Sequence, residues 1–203
     1  KVRDLVWETD MGQPTVMTIH RLGSGFKGIW RTKWRTSKEQ SGGTLMEVNA
    51  HEIDFLRFVA GSEATSVFAV GENYINQEID FPDAALVTIT FENGAVASLH
   101  SSDVSTISAY GGRVDCKNGS LVFPRFWGED AALTYQIGES DPVSIPVDEL
   151  KPELSPVAQE IQAFAEAVLA GEEPPVTGED GRAVVAIADA AYRSIESGQP
   201  VVL

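Results

Sequence analysis

The order of the elements that the sequence predicts is typical of an α+β fold. A short helical start precedes a series of candidate strands, and two amphipathic helices close the chain. Short turn signals at Asn93-Gly94 and Asn118-Gly119 favour antiparallel hairpins. The regular strand–helix alternation that builds a parallel nucleotide-binding sheet is missing. We therefore expect one α+β domain over residues 1–203.

Composition restricts the classes of partner. The 203 residues are 43% hydrophobic and 22% charged, which is ordinary globular usage. No apolar run approaches the roughly 20 residues that span a bilayer, so we expect no membrane partner. The net charge of −15 disfavours nucleic acid, which binds clustered Lys and Arg. The single Cys116 cannot form an internal disulfide, which fits a cytoplasmic protein.

Hydrophobic spacing predicts the elements of the first half. We expect a helical turn or two in residues 1–8, a strand near 15–19, one helix over 41–61 and a strand over 64–75. Strands over 84–91 and 95–101 are joined by a type I′ turn at Asn93-Gly94. Their alternation gives one apolar sheet face, which should receive helices, and one face rich in Thr, Ser and Val. This second face is typical of a sheet that packs on a partner subunit.

The second half continues the sheet and then closes with helices. Further strands are predicted over 107–117, 120–123, 133–137 and 143–147. Ser155 is a candidate helix N-cap and Pro156 the first helical residue of a helix that ends at Gly171. The segment 177–180 resembles the capping box of a last helix, which runs to about Ser197. Residues 201–203 could add a short edge strand.

The helix predicted over 41–61 carries an ionisable stripe formed by Glu47, His51 and Asp54. A carboxylate four residues before an imidazole is within its reach and can raise its basicity, which suits proton transfer. The same spacing also describes a solvated polar stripe, and spacing alone leaves both interpretations open. Glu52 points into the apolar arc and no second His follows at i+4, so we expect no metal site.

Positive charge is concentrated just before this helix. The basic residues alternate with two tryptophans, and the group comprises Trp30, Arg31, Lys33, Trp34, Arg35 and Lys38. It is either a solvated loop or a place that holds a polar or anionic ligand. The glycines at 23, 25 and 28 have the spacing of a dinucleotide fingerprint. No amphipathic helix opens after them, so we do not interpret them as one.

These residues carry a family resemblance. Ser41-Gly42-Gly43 followed by Glu47-x-x-x-His51-x-x-Asp54 resembles the Gly-Gly-x-x-x-Asp-x-x-x-His-x-x-Asp motif of the glucose–fructose oxidoreductase, inositol dehydrogenase and MocA-like (Gfo/Idh/MocA) family. The segments 34–35, 91–94, 175–180 and 191–201 are similar to later landmarks of that family. The resemblance covers nearly the whole chain and only the family's C-terminal substrate and oligomerisation domain. It implies an open, mostly antiparallel sheet with helices packed on one face, and the N-terminal dinucleotide-binding domain is missing here.

The resemblance implies the C-terminal domain of an NAD(P)-dependent oxidoreductase that acts on a secondary alcohol of a sugar, cyclitol or related polyol. His51 would take the hydroxyl proton. Glu47, which stands where the family usually has Asp, would be the second catalytic residue and would either orient His51 or bind a substrate hydroxyl. The expected substrate-binding residues are Arg31, Trp34, Arg35 and Asp54. NAD or NADP would be bound mainly by the missing domain, so we expect the fragment alone to be inactive. A homodimer or homotetramer is expected to form through the sheet face.

Two other functions fit the same sequence. A non-catalytic binding or dimerisation module could keep this fold, although His51 and the basic-aromatic segment before it favour an enzyme. Some relatives in the family use a tightly held nicotinamide for redox-neutral glycoside cleavage. Nothing in the sequence separates that reaction from alcohol oxidation.

Overall fold

The structure is a computed structural model, and it describes residues 1–23, 32–126 and 132–203, with only the backbone of Lys33. Most of the glycine-spaced segment, together with Trp30 and the expected substrate-binding residue Arg31, lies outside these residues. The role expected for Arg31 therefore stays a prediction.

One sheet organises the described residues. Its nine strands lie in the order β8-β7-β6-β5-β1-β4-β3-β2-β9. β1 and β4 pair in parallel, and the other neighbours are antiparallel. The expected α+β fold with an open, mostly antiparallel sheet is thus confirmed. The strands are β1 Pro14–Leu22, β2 Ala64–Glu72, β3 Ala84–Phe91, β4 Val96–Ser102, β5 Ala109–Cys116, β6 Gly119–Phe123, β7 Leu133–Ile137, β8 Val143–Ile145 and β9 Val201–Val202.

The helices lie before, within and after the strands. A 3-10 turn at Lys33–Thr36 leads into two very short helices that precede the helix carrying His51. In chain order the helices are α1 Val2–Glu8, α2 Lys38–Ser41, α3 Thr44–Glu47, α4 Ala50–Ala60, α5 Val147–Leu150, α6 Pro156–Ala170 and α7 Gly178–Ser197. The closing helices begin and end where their caps predict, because Ser155 accepts the N–H of Ala158 and a complete capping box precedes α7.

The inner face of the sheet, covered by α4 and α7, holds the core. Alternate residues of β3 are buried there to 6% exposure or less, namely Ala85, Val87, Ile89 and Phe91. β1, on the far side of β4 in the same sheet, contributes Met17 and Ile19, which are also buried. Because the inner face is apolar, helices pack on it as the alternation predicted.

The outer face of the sheet exposes several large apolar side chains. Val16 is 47% exposed, Phe68 39%, Val70 51% and Leu86 52%. Thr88 lies among them on β3 and is exposed as well. This face is therefore more apolar than the Thr-, Ser- and Val-rich sequence of β3 and β4 indicated.

Two turn assignments made from the sequence are wrong in detail. A type I′ turn needs positive φ at both central residues, but no described non-glycine residue has positive φ, so Asn93 does not adopt it. The loop instead has three residues, 92–94, with Gly94 at φ 84°. The second hairpin turns at residues 117–118, and Gly119 already belongs to β6. Both hairpins form where predicted, because the loops still contain residues suited to turns.

The strand predicted over 64–75 ends earlier, at Glu72. The chain turns there around the buried carboxylate of Asp83, which accepts the backbone N–H groups of Tyr74, Ile75 and Asn76, each at 2.9 Å. Hydrogen bonds to a buried carboxylate replace the strand ladder for these residues. The fourth strand of the second half likewise ends at Ile145, and Val147 begins α5.

Candidate functional site

The single helix predicted over 41–61 is wrong. After the last residue of α2, two separate helices, α3 and α4, occupy this segment, and Val48 and Asn49 lie between them. Gly43 begins α3 with φ 73°, and a Cβ atom there would collide with the hydroxyl of Tyr192. That hydroxyl accepts the N–H of Leu45 at 3.0 Å. Gly43 thus lets the chain approach Tyr192 of α7 closely just before α3.

Asn49 explains the break before α4. Its backbone has φ −82° and ψ 0°, and its side chain makes no cap hydrogen bond. Its Nδ2 atom instead donates to Glu52 Oε2 at 2.8 Å, and its Oδ1 accepts from Ser101 Oγ at 2.7 Å. Tertiary hydrogen bonds therefore hold Asn49 where helical periodicity predicts a continuous helix. As a result, Glu47 and His51 belong to two different helices.

Glu47 forms an ion pair with one of the expected substrate-binding residues. Its carboxylate lies 2.7 Å from Arg35 Nη2, and both side chains are about one fifth exposed, at 23% and 21%. The Arg35 guanidinium also lies 4.9 Å from the ring centroid of Trp34, within the range of a cation–π contact. The structure thus brings together Trp34, Arg35 and Glu47, which the sequence had placed in two segments.

His51 lies in the first turn of α4 and is exposed. Among the described residues, no hydrogen bond or ion pair joins its imidazole to Glu47, so Glu47 does not orient it in this structure. Asp54, one turn further along, is half-buried, and burial raises the pKa of its carboxyl. The charge of Asp180 also raises this pKa, whereas Arg57 and His51 lower it. His51 is therefore close enough to Asp54 for the two charges to interact.

A second carboxylate near the site was missed from the sequence. Asp103 follows β4, and its Oδ2 accepts the hydroxyl of Thr44 at 2.7 Å. Burial raises the pKa of Asp103, and the nearby negative charges of Asp83 and Glu47 raise it further, against the bond from Thr44 and the charge of Arg21. Only the fold brings Asp103 to Glu47, because these residues are far apart in the sequence and no local motif links them.

Glu52 anchors the start of α4. The direction predicted for its side chain is correct, because it is fully buried at 0% exposure. However, the carboxylate meets polar groups there: Arg21 Nη1 at 2.9 Å and the Tyr110 hydroxyl at 2.5 Å. Burial and the bond to Glu52 raise the pKa of Tyr110, so its hydroxyl stays a hydrogen-bond donor. No sequence signal identified these partners, because they come from β1 and β5.

The site offers an exposed imidazole, an arginine that stacks on a tryptophan, and several carboxylates. Such groups can accept a proton and hydrogen-bond the hydroxyls of a polar ligand. Over residues 1–23, 32–126 and 132–203, no cluster of three or more His, Cys, Asp or Glu side chains is arranged to hold a metal ion. In the same ranges, no helix combines the length and the apolar character needed to cross a membrane.

The fold and the sequence motif around His51 define the class of this chain. Residues 3–203 match the family model described as "Oxidoreductase family, C-terminal alpha/beta domain". The chain therefore belongs to this oxidoreductase family. The resemblance noted in the sequence is thereby confirmed. The match covers the nine-stranded sheet as well as the helices that carry Glu47 and His51.

Known relatives agree with this membership. The chain is 33% identical over 169 residues to the uncharacterized oxidoreductase YrbE of Bacillus subtilis strain 168, covering 79% of this chain and 48% of that protein. It is 27% identical over 168 residues to the myo-inositol 2-dehydrogenase of Thermotoga maritima, covering 80% and 50%. The chain therefore spans about half the length of these relatives.

Solved structures share the fold. An oxidoreductase from Agrobacterium radiobacter, in complex with NAD+, L-tartaric acid and magnesium, superimposes with a TM-score of 0.82 at 18% identity. The match covers 99% of this chain and 60% of that one. At this level of identity the similarity shows the fold alone.

Proposed function

We propose that this chain is the C-terminal substrate domain of an NAD(P)-dependent oxidoreductase that acts on a secondary alcohol of a sugar, cyclitol or related polyol. The observation that carries the proposal is the exposed imidazole of His51 in the first turn of α4, together with the Trp34–Arg35–Glu47 group, which precedes α4 in the chain. Membership of the oxidoreductase family and the similarity to a myo-inositol 2-dehydrogenase support it.

His51 is the proposed proton acceptor. A neutral imidazole has a lone pair that can take the proton of a substrate hydroxyl, and its exposure leaves room for the substrate. Arg35 can donate hydrogen bonds to other hydroxyls, and the ring of Trp34 offers a flat surface for the apolar side of a sugar or cyclitol. Asp54 is the further proposed contact, since its carboxylate accepts hydrogen bonds from hydroxyls.

The cofactor is proposed to be NAD or NADP. The described residues contain no glycine-rich turn that leads from a strand into a helix N-terminus, so they provide no cradle for a pyrophosphate. We therefore assign its binding mainly to a domain outside these 203 residues. When bound, the nicotinamide supplies the hydride acceptor of the reaction. The 203-residue chain alone is then expected to show no saturable micromolar binding of NAD(H) in calorimetry.

Glu47 is proposed to act on Arg35 and the substrate instead of orienting His51. The family usually has the shorter Asp at this position. Glu adds one methylene group, and here its carboxylate reaches the Arg35 guanidinium at 2.7 Å. A fixed guanidinium presents its N–H groups in a defined direction, which is useful for recognising hydroxyls.

The decisive test is His51→Ala in the full-length enzyme. Loss of a general base should lower kcat by about 10²-fold or more while the cofactor Kd changes little. Phe58→Ala is the matched control, because Phe58 is an exposed side chain on the same helix. Turnover of His51→Ala at the parent's rate would show that the ionisable residues are solvated surface. Net formation of NADH or NADPH with a polyol distinguishes alcohol oxidation from redox-neutral cleavage.

We also propose that the outer sheet face binds a second copy of the chain. The exposed side chains of Val16, Phe68, Val70 and Leu86 form an apolar surface of the kind found in subunit interfaces. Thr88→Glu places a charge among them and should yield monomers in light scattering, whereas Gln162→Glu on exposed α6 should leave the oligomer intact. A parent protein that is monomeric at tens of micromolar would contradict the proposal.

A further inference from the structure

Glu52 is the residue after His51, and its carboxylate lies in an unusual environment. It is fully buried, and a buried carboxylate is costly unless it is paired and hydrogen-bonded. Three donors satisfy it: Arg21 Nη1 at 2.9 Å, the Tyr110 hydroxyl at 2.5 Å and Asn49 Nδ2 at 2.8 Å. Such a complete set of partners indicates that the group is held in one place.

The partners form a row across the sheet. Arg21 on β1 is in register with Ser101 on β4 and with Tyr110 on β5. The Arg21 guanidinium also lies 5.0 Å from the centroid of the Tyr110 ring. Glu52 reaches two members of this row, and Asn49 reaches the third. The first turn of α4 is therefore attached to three adjacent strands through polar side chains.

Asn49 connects this row to the break before α4. Both atoms of its side-chain amide are used, one towards Glu52 and the other towards Ser101. The backbone between α3 and α4 turns at this residue. Without these bonds, nothing in the helical pattern of the sequence requires the helix to end after Glu47.

We propose that Glu52 and Asn49 are positioning residues that hold the break between α3 and α4, and so set where Glu47 and His51 stand relative to each other. In a continuous helix, Glu47 would be the i−4 neighbour of His51 and could pair with it. Because of the break, Glu47 pairs with Arg35 instead. The His51 imidazole then stays available to a substrate. The catalytic part of this inference rests on the proposed function of His51.

Glu52→Gln in the full-length enzyme tests the inference. The amide keeps the size of the side chain and one acceptor oxygen, but it loses the charge that pairs with Arg21. Misplacement of the base should lower kcat about 10-fold, with cofactor Kd unchanged. Amide hydrogen exchange should accelerate at 50–53 and stay the same in the last turn of α4.

Glu63→Gln is the matched control. Glu63 is also paired with an arginine of α4, Arg57, but it is 53% exposed and lies beyond the other end of that helix. It should change neither kcat nor exchange at 50–53. If Glu52→Gln does not fold, Tyr110→Phe removes a single donor and retains the Arg21 ion pair, and it should give the same pattern with about a 3-fold loss of kcat.

Two results would overturn the inference. Unchanged kcat in Glu52→Gln despite faster exchange at 50–53 would show that the buried row only attaches α4 to the sheet. Unchanged exchange at 50–53 would show that it does not hold the break at all. The exchange measurement does not depend on the role of His51, so a fully active His51→Ala variant would refute the proposed function and leave the structural part of this inference to be decided separately.

Discussion

The last two long helices, α6 and α7, were predicted from the same kind of pattern but differ in what covers them. α7 buries Val184, Ile187, Ala188, Ala190, Ala191, Tyr192 and Ser194. α6 buries only Ala167, while four large apolar residues along one side of it stay 57–64% exposed, namely Val157, Ile161, Phe164 and Val168. Apolar spacing thus predicts a helix and its apolar side, but not whether the described residues cover that side.

The packing of α7 depends on small residues and on one polar contact. Ala190 and Ala191 are fully buried and allow the helix to approach the sheet closely. Ser194 Oγ accepts the N–H of Ala69 in β2 at 2.9 Å and donates to the carbonyl of Gln199 at 2.7 Å. These contacts attach α7 to β2 and to the chain that leads into β9. No comparable side-chain hydrogen bond from α6 to the sheet occurs among the described residues.

The largest expected effect comes from one substitution made in both helices. Ile187→Ala on α7 removes a side chain that is 1% exposed, so it should lower the free energy of unfolding of the 203-residue chain by about 2–5 kcal/mol. Ile161→Ala on α6 truncates the same residue type at 64% exposure and should change that free energy by less than about 0.5 kcal/mol. Urea unfolding followed by circular dichroism measures both.

Equal losses in the two variants would contradict the comparison. They would mean that the stripe on α6 is covered in solution by another part of the molecule. A small loss in Ile187→Ala would instead show that the core below α7 collapses into the space that the side chain leaves.

The sequence predicted the fold much better than the site. Caps, turn residues and alternation are local signals, and they located α6, α7 and most strands to within a few residues. The break at Asn49 had no such signal, because its cause is a set of bonds to Glu52 and Ser101. The ion pair of Glu47 with Arg35 was missed for the same reason, since spacing on a continuous helix favoured His51 as its neighbour.

Removing the helix caps should lower the free energy of unfolding more in α7 than in α6, by a smaller amount than the isoleucine substitutions. Thr177→Ala disrupts a capping box on packed α7 and should lower the free energy of unfolding by about 1 kcal/mol. Ser155→Ala removes one 3.3 Å bond at the start of exposed α6, so its effect on global unfolding should be well below that. The measurement is again urea unfolding, with Thr177→Ser as the control that keeps a hydroxyl. If Ser155→Ala lowered the free energy of unfolding more than Thr177→Ala, the prediction that the cap of α7 contributes more would be wrong.

The smallest expected effect is a pH dependence at the start of α7 that the start of α6 lacks. The backbone N–H of Thr177 donates to Asp180 at 2.8 Å, Arg57 lies 2.7 Å from the same carboxylate, and together with the Thr177 hydroxyl they lower the pKa of Asp180 to about 2. A carboxyl whose pKa is lower in the folded state stabilises the fold above its unfolded pKa of about 4. This contribution is lost as the pH falls towards 2.

Asp180→Asn removes that titrating group and should flatten the loss of stability between pH 4 and pH 2, which unfolding curves at a series of pH values would detect. The cap of α6 is the hydroxyl of Ser155, which does not titrate in this range. Ser155→Ala should therefore lower the free energy of unfolding slightly at every pH and leave its slope with pH unchanged.

Hydrogen exchange in the first turns of the two helices gives the local comparison, because only α7 should open as Asp180 takes up a proton. Identical slopes for the parent and Asp180→Asn would show that other carboxylates account for the acid sensitivity, and that the ion pair with Arg57 contributes little in solution.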